Sequence, residues 1–299
     1  MRIVMSGASG MIGSAVSKLL ESRGDEVIRL VRRPARTTGE RFWDPAAGLL
    51  DKAVLDGADA VINLSGAGIG DRPWTKSRIR ELYDSRLQPT RTLAAAMEEM
   101  DNPPGTFISQ SASGFYGASR NEVLRESAPA GSGVLGPLCV EWEAAARTAP
   151  EAVRVVTPRT GVILSTSGGA LGPLLPLLKL GLGGPFGDGR QYWPWITLAD
   201  EAAALAFLVT ADVEGAVNVC APGIADVNTI VAKLAEAFHR PAVFRVPRPA
   251  LKLLLGGLAD ELVMANQAMD PGRLAGAGFH WQHPSLSQAM SWLKAETIS

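Results

Sequence analysis

The stretch Ser6-Gly7-Ala8-Ser9-Gly10-Met11-Ile12-Gly13 decides the fold, because it joins an apolar run, Arg2–Ser6, to a segment with helical spacing at residues 11–24. The first glycine permits a tight turn, the second lets a phosphate approach the backbone, and the third lets the helix pack against the strand. The helix N-terminus offers free N–H groups and the positive end of its dipole to a pyrophosphate. A bare tight turn is the alternative. The pattern predicts a dinucleotide site that includes Gly7, Ser9, Gly10, Met11, Ile12 and Gly13.

Short apolar runs alternate with helical patterns through the first half of the chain. Strand-like runs occur at Glu26–Val31 and at residues 59–65, 106–111 and 153–164, and a long helical pattern covers residues 76–100. Strand, helix and strand repeated in this way indicate parallel pairing, with helices on both faces of the sheet. We therefore predict an α/β fold with a doubly wound parallel sheet of the Rossmann type, which binds ligands at the carboxyl ends of its strands.

The amino-acid composition of the sequence changes after residue 164. Glycine and proline become dense between residues 168 and 189, and helical patterns separated by Gly and Pro follow toward the C-terminus. We predict a cofactor-binding domain over residues 1–164, which the chain re-enters around residues 190–220. Residues 165–299 are expected to form a smaller C-terminal α/β lobe that binds the substrate and ends in a helical segment.

The composition argues against several classes of partner. The chain has 299 residues with 29 basic and 30 acidic side chains, a net charge of -1, so we expect no nucleic acid and no membrane as a partner. Cys139 and Cys220 are far apart and match no metal or redox spacing, and His280 and His283 lack further ligands nearby in sequence. We therefore expect reduced thiols, no metal site and a cytoplasmic protein.

The end of the second predicted strand indicates which nicotinamide cofactor binds. NAD sites place Asp or Glu there, where the carboxylate accepts hydrogen bonds from the ribose hydroxyls. This strand instead runs into Val31-Arg32-Arg33-Pro34, which contains no acid. Guanidinium groups bind a 2′-phosphate through forked, charge-assisted hydrogen bonds, and a solvated basic turn is the alternative. We predict NADP(H) as the cofactor, bound in part by Val31, Arg32 and Arg33.

A series of short motifs runs almost from end to end of the chain. They are SGASGMIG (6–13), WDP (43–45), VINLSGAGI (61–69), DSR (84–86), FYG (115–117), WEAAA (142–146), PRTGVIL (158–164), GLGGPFGDGRQYWPWI (181–196) and HRPAVFRVP (239–247). This collinear series resembles the extended short-chain dehydrogenase/reductases. It is most similar to an atypical, epimerase-like branch of the NAD-dependent epimerase/dehydratase superfamily, whose members carry a C-terminal domain of unknown function.

The resemblance implies further cofactor contacts. They fall on Leu64, Ser65, Gly66, Glu81, Arg86, Val162 and Ile163. The first three follow a strand end, where the backbone should face the adenosine half of the cofactor. On the long helix, Arg86 is expected to reach a phosphate while Glu81 positions it or binds a ribose, with a surface ion pair as the alternative. The last two lie where relatives pack the nicotinamide, and ordinary core is their alternative.

The catalytic pattern of the superfamily is missing. Active members use a Tyr-x-x-x-Lys pair, in which the tyrosine transfers a proton and the lysine lowers its pKa, together with a nearby Ser or Thr. When the chain is aligned on WEAAA, Leu135 occupies the tyrosine position and Cys139 the lysine position, and no Tyr-x-x-x-Lys occurs anywhere. Aligned on FYG, the usual serine position holds Ala112, with Ser111 and Ser113 on either side.

Three accounts of the missing proton relay remain open. The first is a substitute acid, for which Tyr116 is the best candidate beside Ser111 and Ser113, although a packed aromatic is the alternative for this tyrosine. The second is a substrate that needs no strong acid, such as an activated double bond or a flavin-like acceptor. The third is binding of NADP(H) without turnover.

A polar and aromatic cluster follows the glycine-rich segment of the second half. It comprises Arg190, Gln191, Trp193 and Trp195, together with Tyr192. Glycines would give a mobile lid, and aromatic rings can stack on a ring or sugar face, so these residues are candidates for substrate binding. A rigid core built around the tryptophans is the alternative.

The sequence therefore predicts an NADP-dependent oxidoreductase or epimerase-like protein that acts on an unidentified small molecule. The alternative is a catalytically silent NADP(H)-binding regulator or sensor. Many relatives dimerise through two helices per subunit, and the helical patterns at residues 76–100 and 136–148 are the corresponding candidates for a homodimer interface.

Overall fold

Parallel strands and helices follow one another from the N-terminus, as predicted. The computed structural model describes residues 1–172, 174–181, 183–242 and 244–298. The strands are β1 (Arg2–Ser6), β2 (Glu26–Val31), β3 (Glu40–Phe42), β4 (Ala60–Asn63), β5 (Thr106–Ser109), β6 (Ser111–Ala112), β7 (Ser119–Leu124), β8 (Arg154–Thr160), β9 (Val162–Leu164), β10 (Tyr192–Trp193), β11 (Trp195–Thr197), β12 (Gly215–Val219), β13 (Ala225–Asp226) and β14 (Asn266–Met269). The helices are α1 (Met11–Ser22), α2 (Lys76–Glu98), α3 (Leu135–Ala146), α4 (Leu174–Lys179), α5 (Leu198–Leu208), α6 (Val227–Ala237), α7 (Arg248–Leu255), α8 (Gly272–Gly276) and α9 (Leu286–Ile298).

The described chain folds into two compact units. The first contains Met1–Ala112, Leu138–Arg159 and Ala202–Val217, and the second contains Ser113–Pro137, Thr160–Glu201 and the described residues from Asn218 onward. These boundaries differ from the predicted division at residue 164, because the segments that begin at Ser113 and Thr160 cluster with the C-terminal residues. The stretch that returns to the first unit is also shorter than the predicted 190–220.

The main sheet belongs to the first unit, apart from the last residues of β8 and β12. Its strand order is β12-β8-β5-β4-β1-β2-β3, and the pairs from β8 through to β3 are parallel. The chain runs from β1 outward through β2 and β3 on one side, then returns to β4 on the other side. The carboxyl ends of β1 and β4 therefore meet at the point where the strand order reverses, which is where doubly wound sheets bind ligands. This topology confirms the predicted Rossmann fold.

The core of the first unit explains why its central strands are apolar along their whole length. Every residue of β4 and β5 is buried, because parallel strands in the middle of such a sheet are covered by helices on both faces. Val4, Val61 and Phe107 pack with residues of α2 such as Leu93 and Met97 in one hydrophobic cluster. This packing holds the carboxyl ends of the strands in a fixed arrangement.

The second unit has small sheets and a core of its own. β9 pairs in parallel with β11, β14 with β7, and β10 pairs antiparallel with β13. The predicted strand at residues 153–164 is broken into β8 and β9, because the Gly161 N–H donates to the Val219 carbonyl at 3.0 Å and the Val162 N–H to the Pro194 carbonyl at 2.7 Å. Trp193 and Trp195 lie in the core beside residues of α4, α6 and α9.

The described helices differ from membrane-spanning helices in length or in composition. None of them combines the length and the apolar character that a membrane-spanning helix requires. The 23-residue α2 is long enough, but its first turns are rich in charged side chains.

Candidate functional site

A cleft of about 1190 Å³ opens at the carboxyl ends of the central strands of the first unit. The glycine-rich turn after β1, the end of β2, the loop after β4 and one face of α2 form its walls. The predicted cofactor residues that line it are Gly7, Ser9, Gly10, Val31, Arg32, Arg33, Leu64, Ser65, Gly66 and Glu81. Met11, Ile12 and Gly13 form the first turn of α1, directly behind the glycine-rich turn.

The glycine-rich turn adopts a backbone conformation that residues with a Cβ atom could not adopt at Gly7 or Gly13. Gly7 has a φ of +68°, and a Cβ atom there would lie 2.5 Å from the Leu64 carbonyl oxygen. A methyl group on Gly13 would overlap the Gly7 carbonyl oxygen, so this glycine is needed for the close packing of α1 against the turn. No side chain caps the N-terminus of α1, which leaves the first N–H groups of the helix available to an anion.

A buried hydrogen-bond network fixes the floor of the cleft. The Ser6 hydroxyl donates to Asn63 Oδ1 at 2.7 Å, and the Ser65 hydroxyl donates to Ser6 Oγ at 2.9 Å. Asn63 Nδ2 in turn donates to the Thr90 hydroxyl oxygen at 2.8 Å, and Trp142 Nε1 donates to the same oxygen at 3.0 Å. The ends of β1 and β4 are thereby tied to α2 and α3. Sequence reasoning missed these supporting residues, because they are polar groups from separate elements that only the fold brings together.

Arg32 and Arg33 have different surroundings at the end of β2. Arg32 is exposed and forms no ion pair with any residue that the structure describes. The Arg33 guanidinium donates to both carboxylate oxygens of Glu40, at 2.9 and 2.6 Å. Hydrogen bonds from Arg33 and from the Arg36 N–H lower the pKa of Glu40 to about 2, so its carboxylate stays ionised in neutral solution. The sequence-based prediction did not include Glu40, which lies seven residues beyond Arg33.

Glu81 and Arg86 do not contact each other in the way that either the prediction of a positioning role or the alternative of a surface ion pair requires. Glu81 accepts from Arg78 at 2.8 Å, while Arg86 is buried and donates to the carbonyl oxygens of Leu82 and Ala67, both at 3.1 Å. Burial lowers the pKa of Arg86 to about 10. The expectation that Glu81 positions Arg86 is therefore wrong, because the two side chains point to different partners. Arg86 instead supports the loop that carries the Leu64–Ala67 wall of the cleft; its contact with a phosphate stays a prediction.

One face of α2 contributes cleft residues that the sequence-based prediction omitted. They are Ser77, Arg80, Asp84, Ser85 and Gln88. With Glu81 they recur at intervals of three or four residues, which is the spacing of one helical face. This periodicity was present in the sequence and would have identified these residues once Glu81 was assigned to the site.

Val162 and Ile163 lie in β9 of the second unit. Val162 is aligned with Trp195 and Ile163 with Ile196 across the β9–β11 pair. Ile163 is buried and Val162 is half-buried. Their predicted contact with the nicotinamide remains a prediction.

The structure contradicts the assignment of Tyr116 as a proton donor. Its side chain is fully buried in a cluster with Leu124, Cys220 and Met269. The hydroxyl donates to Asn218 Oδ1 at 2.6 Å. A group enclosed in this way cannot reach a substrate, so Tyr116 is the packed aromatic that was the alternative for this residue.

Ser111 and Ser113 occupy different environments. Ser111 is buried, and its hydroxyl donates to Glu143 Oε1 at 2.8 Å; the same carboxylate pairs with Arg159 at 2.8 Å. Ser113 is half-buried in the second unit, and its hydroxyl forms no hydrogen bond with the described residues. Its carbonyl oxygen accepts from Gln267 Nε2 at 2.9 Å, which fixes the backbone at this position. Ser113 is therefore the more accessible of the two serines, and its role toward a substrate stays a prediction.

The positions that hold tyrosine and lysine in active relatives are both apolar and buried. Leu135 begins α3 and has 3% of its surface exposed. Cys139 lies one turn later, and burial raises the pKa of its thiol to about 12. At neutral pH this thiol is neutral, so it supplies neither the proton acceptor nor the fixed positive charge of the missing pair.

The predicted substrate cluster is largely interior. Trp193 and Trp195 are buried, and their indole N–H groups donate to the carbonyl oxygens of Val263 and Gly223 at 3.3 and 2.7 Å. The expectation that they stack on a substrate is wrong, because both side chains are buried in the core of the second unit. Gln191 is also buried and donates to the Val263 carbonyl at 3.2 Å, whereas Arg190 is exposed.

Among the described residues, no group of three or more His, Cys, Asp and Glu side chains is arranged to hold a metal ion.

Comparison with known proteins places these features in a family. The NAD dependent epimerase/dehydratase family matches residues 3–220, and a domain of unknown function, DUF1731, matches residues 246–293. An epimerase family protein of Mycobacterium bovis is 38% identical over 292 residues, which cover 97% of this chain and 96% of that protein.

Solved structures show the same relationship. The crystal structure of the human epimerase family protein SDR39U1 with NADPH has a TM-score of 0.90 and 32% identity, and the match covers 99% of each chain. UDP-glucuronic acid 4-epimerase of Bacillus cereus, solved with UDP-glucuronic acid and NAD, has a TM-score of 0.78 at 16% identity over the full length of both chains, which shows a shared fold alone. The chain therefore belongs to the NAD dependent epimerase/dehydratase family, in the branch that carries this C-terminal domain of unknown function, as its motifs predicted.

Proposed function

We propose that this protein is an NADP(H)-dependent oxidoreductase that acts on a small molecule. The observation that carries the proposal is the cleft at the reversal point of the sheet, which is lined by a glycine-rich turn and by Arg32, a residue without an ion pair in the described part of the chain. The human relative crystallised with NADPH supports the same cofactor, since it is similar over the whole chain.

The residues present fit this cofactor. A Cβ atom at Gly7 or Gly13 would overlap the neighbouring backbone, so the turn is a cradle that only glycine permits. The N-terminus of α1 lacks a side-chain cap, and its N–H groups suit a pyrophosphate. Arg32 suits a 2′-phosphate because no described acid neutralises it. When bound, NADPH supplies a hydride.

The chain's own groups limit the chemistry that can accompany hydride transfer. Leu135 and Cys139 provide no proton relay, and Tyr116 is enclosed in the core. The Ser113 hydroxyl forms no hydrogen bond within the described part of the chain and could bond a substrate oxygen. We therefore propose a substrate that needs no strong acid, such as a quinone or an activated double bond, with Ser113 orienting it.

The burial of Leu135, Cys139 and Tyr116 also supports a second function. An NADP(H)-binding regulator needs the cleft and the cofactor contacts but no proton donor. The apolar character of Leu135 and the high pKa of the buried Cys139 thiol, raised to about 12 by burial, suit this role as well. The two functions share the cofactor site and differ in turnover.

Two measurements separate these possibilities. Fluorescence titration of the purified protein with NADPH and NADH should give tighter binding of NADPH, by about tenfold or more if one charge-assisted hydrogen bond to the 2′-phosphate is gained. Equal affinities would contradict the cofactor assignment.

NADPH oxidation is then measured against quinones, aldehydes and activated alkenes. Turnover that falls on Ser113→Ala supports the oxidoreductase, whereas tight binding without turnover on any of these acceptors supports the regulator.

A further inference from the structure

The loop that follows β2 folds around the carboxylate of Glu40. This residue begins β3, and both of its carboxylate oxygens accept hydrogen bonds from the Arg33 guanidinium, at 2.6 and 2.9 Å. The Arg36 N–H donates to Glu40 Oε2 at 2.7 Å, and the Glu40 N–H donates to the Thr37 carbonyl at 3.2 Å. The acid is therefore at the centre of the loop that follows the cofactor-specifying end of β2.

The contacts of Arg33 leave one edge of its guanidinium available. Arginine has five N–H donors, one on Nε and two on each terminal nitrogen. Glu40 takes one from each terminal nitrogen, and Nη1 also donates to the Pro34 carbonyl at 3.0 Å. The Nε–H and the second Nη2–H have no acceptor among the described residues. These two lie side by side on one edge, which is the fork that binds a phosphate through two parallel hydrogen bonds.

We propose that Glu40 is a positioning residue for cofactor selection, whose carboxylate holds Arg33 so that its Nε/Nη2 edge is presented to the 2′-phosphate of NADP(H). This inference rests on the proposed function. The exposure of the two side chains agrees with it, because Glu40 is only 12% exposed while Arg33 is 42% exposed and lines the cleft. Both residues line the cleft, and the carboxylate is the more enclosed of the two.

Repulsion by the Glu40 carboxylate and positioning of Arg33 by it have opposite effects on NADPH affinity. A carboxylate near a phosphate site repels a dianion, so removing its charge by Glu40→Gln should tighten NADPH binding if repulsion dominates. If positioning dominates, the same change frees the Arg33 side chain, and ordering it again on binding weakens the complex. Because the pKa of Glu40 is lowered to about 2, its charge is present over the whole neutral range and the comparison can be made at one pH.

The test is titration of wild type and Glu40→Gln with NADPH and NADH, followed by intrinsic and cofactor fluorescence. We expect NADPH affinity to fall by about tenfold, the equivalent of one charge-assisted hydrogen bond, while NADH affinity stays within twofold. Glu26→Gln is the matched control, since it removes a carboxylate from the opposite end of β2, where Glu26 lies 3.6 Å from Arg2, outside the cleft. This variant should bind both cofactors like wild type.

A double-mutant cycle with Arg33 separates positioning from a general effect on the loop. If Glu40 acts through Arg33, Glu40→Gln should have almost no further effect on NADPH affinity in an Arg33→Ala background. Tighter NADPH binding by Glu40→Gln, or an equal loss for NADPH and NADH, would overturn the inference. A wild-type protein that shows no NADPH preference would overturn the proposed function together with it. If the wild type prefers NADPH and Glu40→Gln leaves NADPH affinity unchanged, the inference alone would be overturned.

Discussion

Arg32 and Arg33 are adjacent in sequence, but the fold gives them different tasks. Arg33 is held by Glu40, whereas Arg32 extends from the end of β2 without an ion pair among the described residues. The charge of Arg33 is offset by the Glu40 carboxylate, whereas no described acid offsets the charge that Arg32 offers to a phosphate. We therefore expect Arg32 to be the larger determinant of NADPH binding.

Replacement of Arg32 by Asp tests this difference. It introduces a carboxylate where NAD-binding relatives place one, so NADPH affinity should fall by about tenfold or more while NADH affinity is retained or rises. Fluorescence titration gives both constants. Arg91→Asp is the control, because Arg91 is also an exposed arginine but does not line the cleft. An Arg32→Asp variant with the wild-type preference for NADPH would show that the selection lies elsewhere.

Tyr116 illustrates how burial changes a residue's role. Its hydroxyl donates to Asn218 Oδ1, and Asn218 Nδ2 donates to the carbonyl oxygens of Leu124 and Asp270 at 2.9 and 3.0 Å. The tyrosine therefore joins the turn after β6 to the end of β7 and the residue after β14. The packing and the hydrogen bond of this side chain therefore serve the fold.

Tyr116→Phe should accordingly lower stability. The substitution keeps the ring but leaves the Asn218 oxygen without its donor, and an unsatisfied buried acceptor costs about 1–3 kcal/mol. The thermal unfolding midpoint should fall, with NADPH affinity unchanged because Tyr116 does not line the cleft. Tyr192→Phe is the matched control, since Tyr192 is 42% exposed. If Tyr116→Phe unfolds like wild type, the hydrogen bond contributes nothing measurable to the fold.

At the scale of elements, the glycine-rich turn and α1 act as one unit. Gly10 precedes the helix with an ordinary φ of -74°, and a Cβ atom there would meet only the Gly7 carbonyl at 3.4 Å. Gly13 is different, because a Cβ atom would overlap the Gly7 carbonyl behind the turn. The two glycines therefore serve the ligand and the fold, respectively.

Alanine substitutions should separate these roles. Gly10→Ala should keep the thermal midpoint of wild type but bind NADPH about tenfold less tightly, since the new methyl group lines the cleft where the backbone must approach a pyrophosphate. Gly13→Ala should lower stability by roughly 1–3 kcal/mol, the range for overpacking. Thermal unfolding and NADPH titration of both variants provide the comparison. The reverse pattern, with Gly10→Ala destabilised and Gly13→Ala intact, would contradict the assignment.

Elements with a strong local signal could be predicted from the sequence. β1 and β2 were predicted with their observed bounds, and α1 and α2 within two residues at each end, because apolar runs and helical periodicity are visible in short windows. β3 was missed. It is only three residues long, two of them charged, and it is a strand because it pairs in parallel with β2. Pairing with a distant strand leaves no periodicity in so short a segment.

The candidate site likewise combines features with a local sequence signal and features that depend on how distant residues come together. The glycine-rich turn and the Arg32-Arg33 pair could be assigned because each motif lies within a few residues. The ion pair between Arg33 and Glu40 could not, since it depends on how the intervening loop folds. The tryptophans of the second unit were ambiguous for another reason. A Trp can stack on a ligand or fill a core, and only the observed burial of Trp193 and Trp195 decides between them.

For the whole molecule, the units cannot be read from composition because the chain passes between them repeatedly. The first unit takes in Leu138–Arg159 and Ala202–Val217, which lie among segments of the second. The cofactor cleft belongs to the first unit, and Ser113 belongs to the second. Family membership is therefore a statement about the whole chain, while the chemistry depends on single positions that can change without altering the fold.

This separation of fold from chemistry leads to the prediction that the protein lacks ordinary sugar-nucleotide epimerase activity. Epimerisation by this fold removes a hydride while a base takes the hydroxyl proton, and the base positions here hold Leu135 and Cys139. Leu135 cannot transfer a proton, and burial raises the pKa of the Cys139 thiol to about 12, which keeps it neutral. General acid–base catalysis contributes roughly 10²–10⁴ in rate, so turnover should be lower by at least about that factor than in an enzyme with the intact pair.

The measurement is interconversion of UDP-glucuronic acid and other UDP-sugars, followed by NMR or chromatography in the presence of NAD or NADP. The Bacillus cereus UDP-glucuronic acid 4-epimerase, which shares the fold, provides the positive control under identical conditions. We expect epimerisation at least about a hundredfold slower than in the control. A Leu135→Tyr/Cys139→Lys double variant tests whether the missing pair is the cause, because restored turnover would assign the loss to these two positions. Rapid epimerisation by the wild-type protein would instead mean that another residue of this chain handles the proton, and Ser113 would be the first to examine by substitution with alanine.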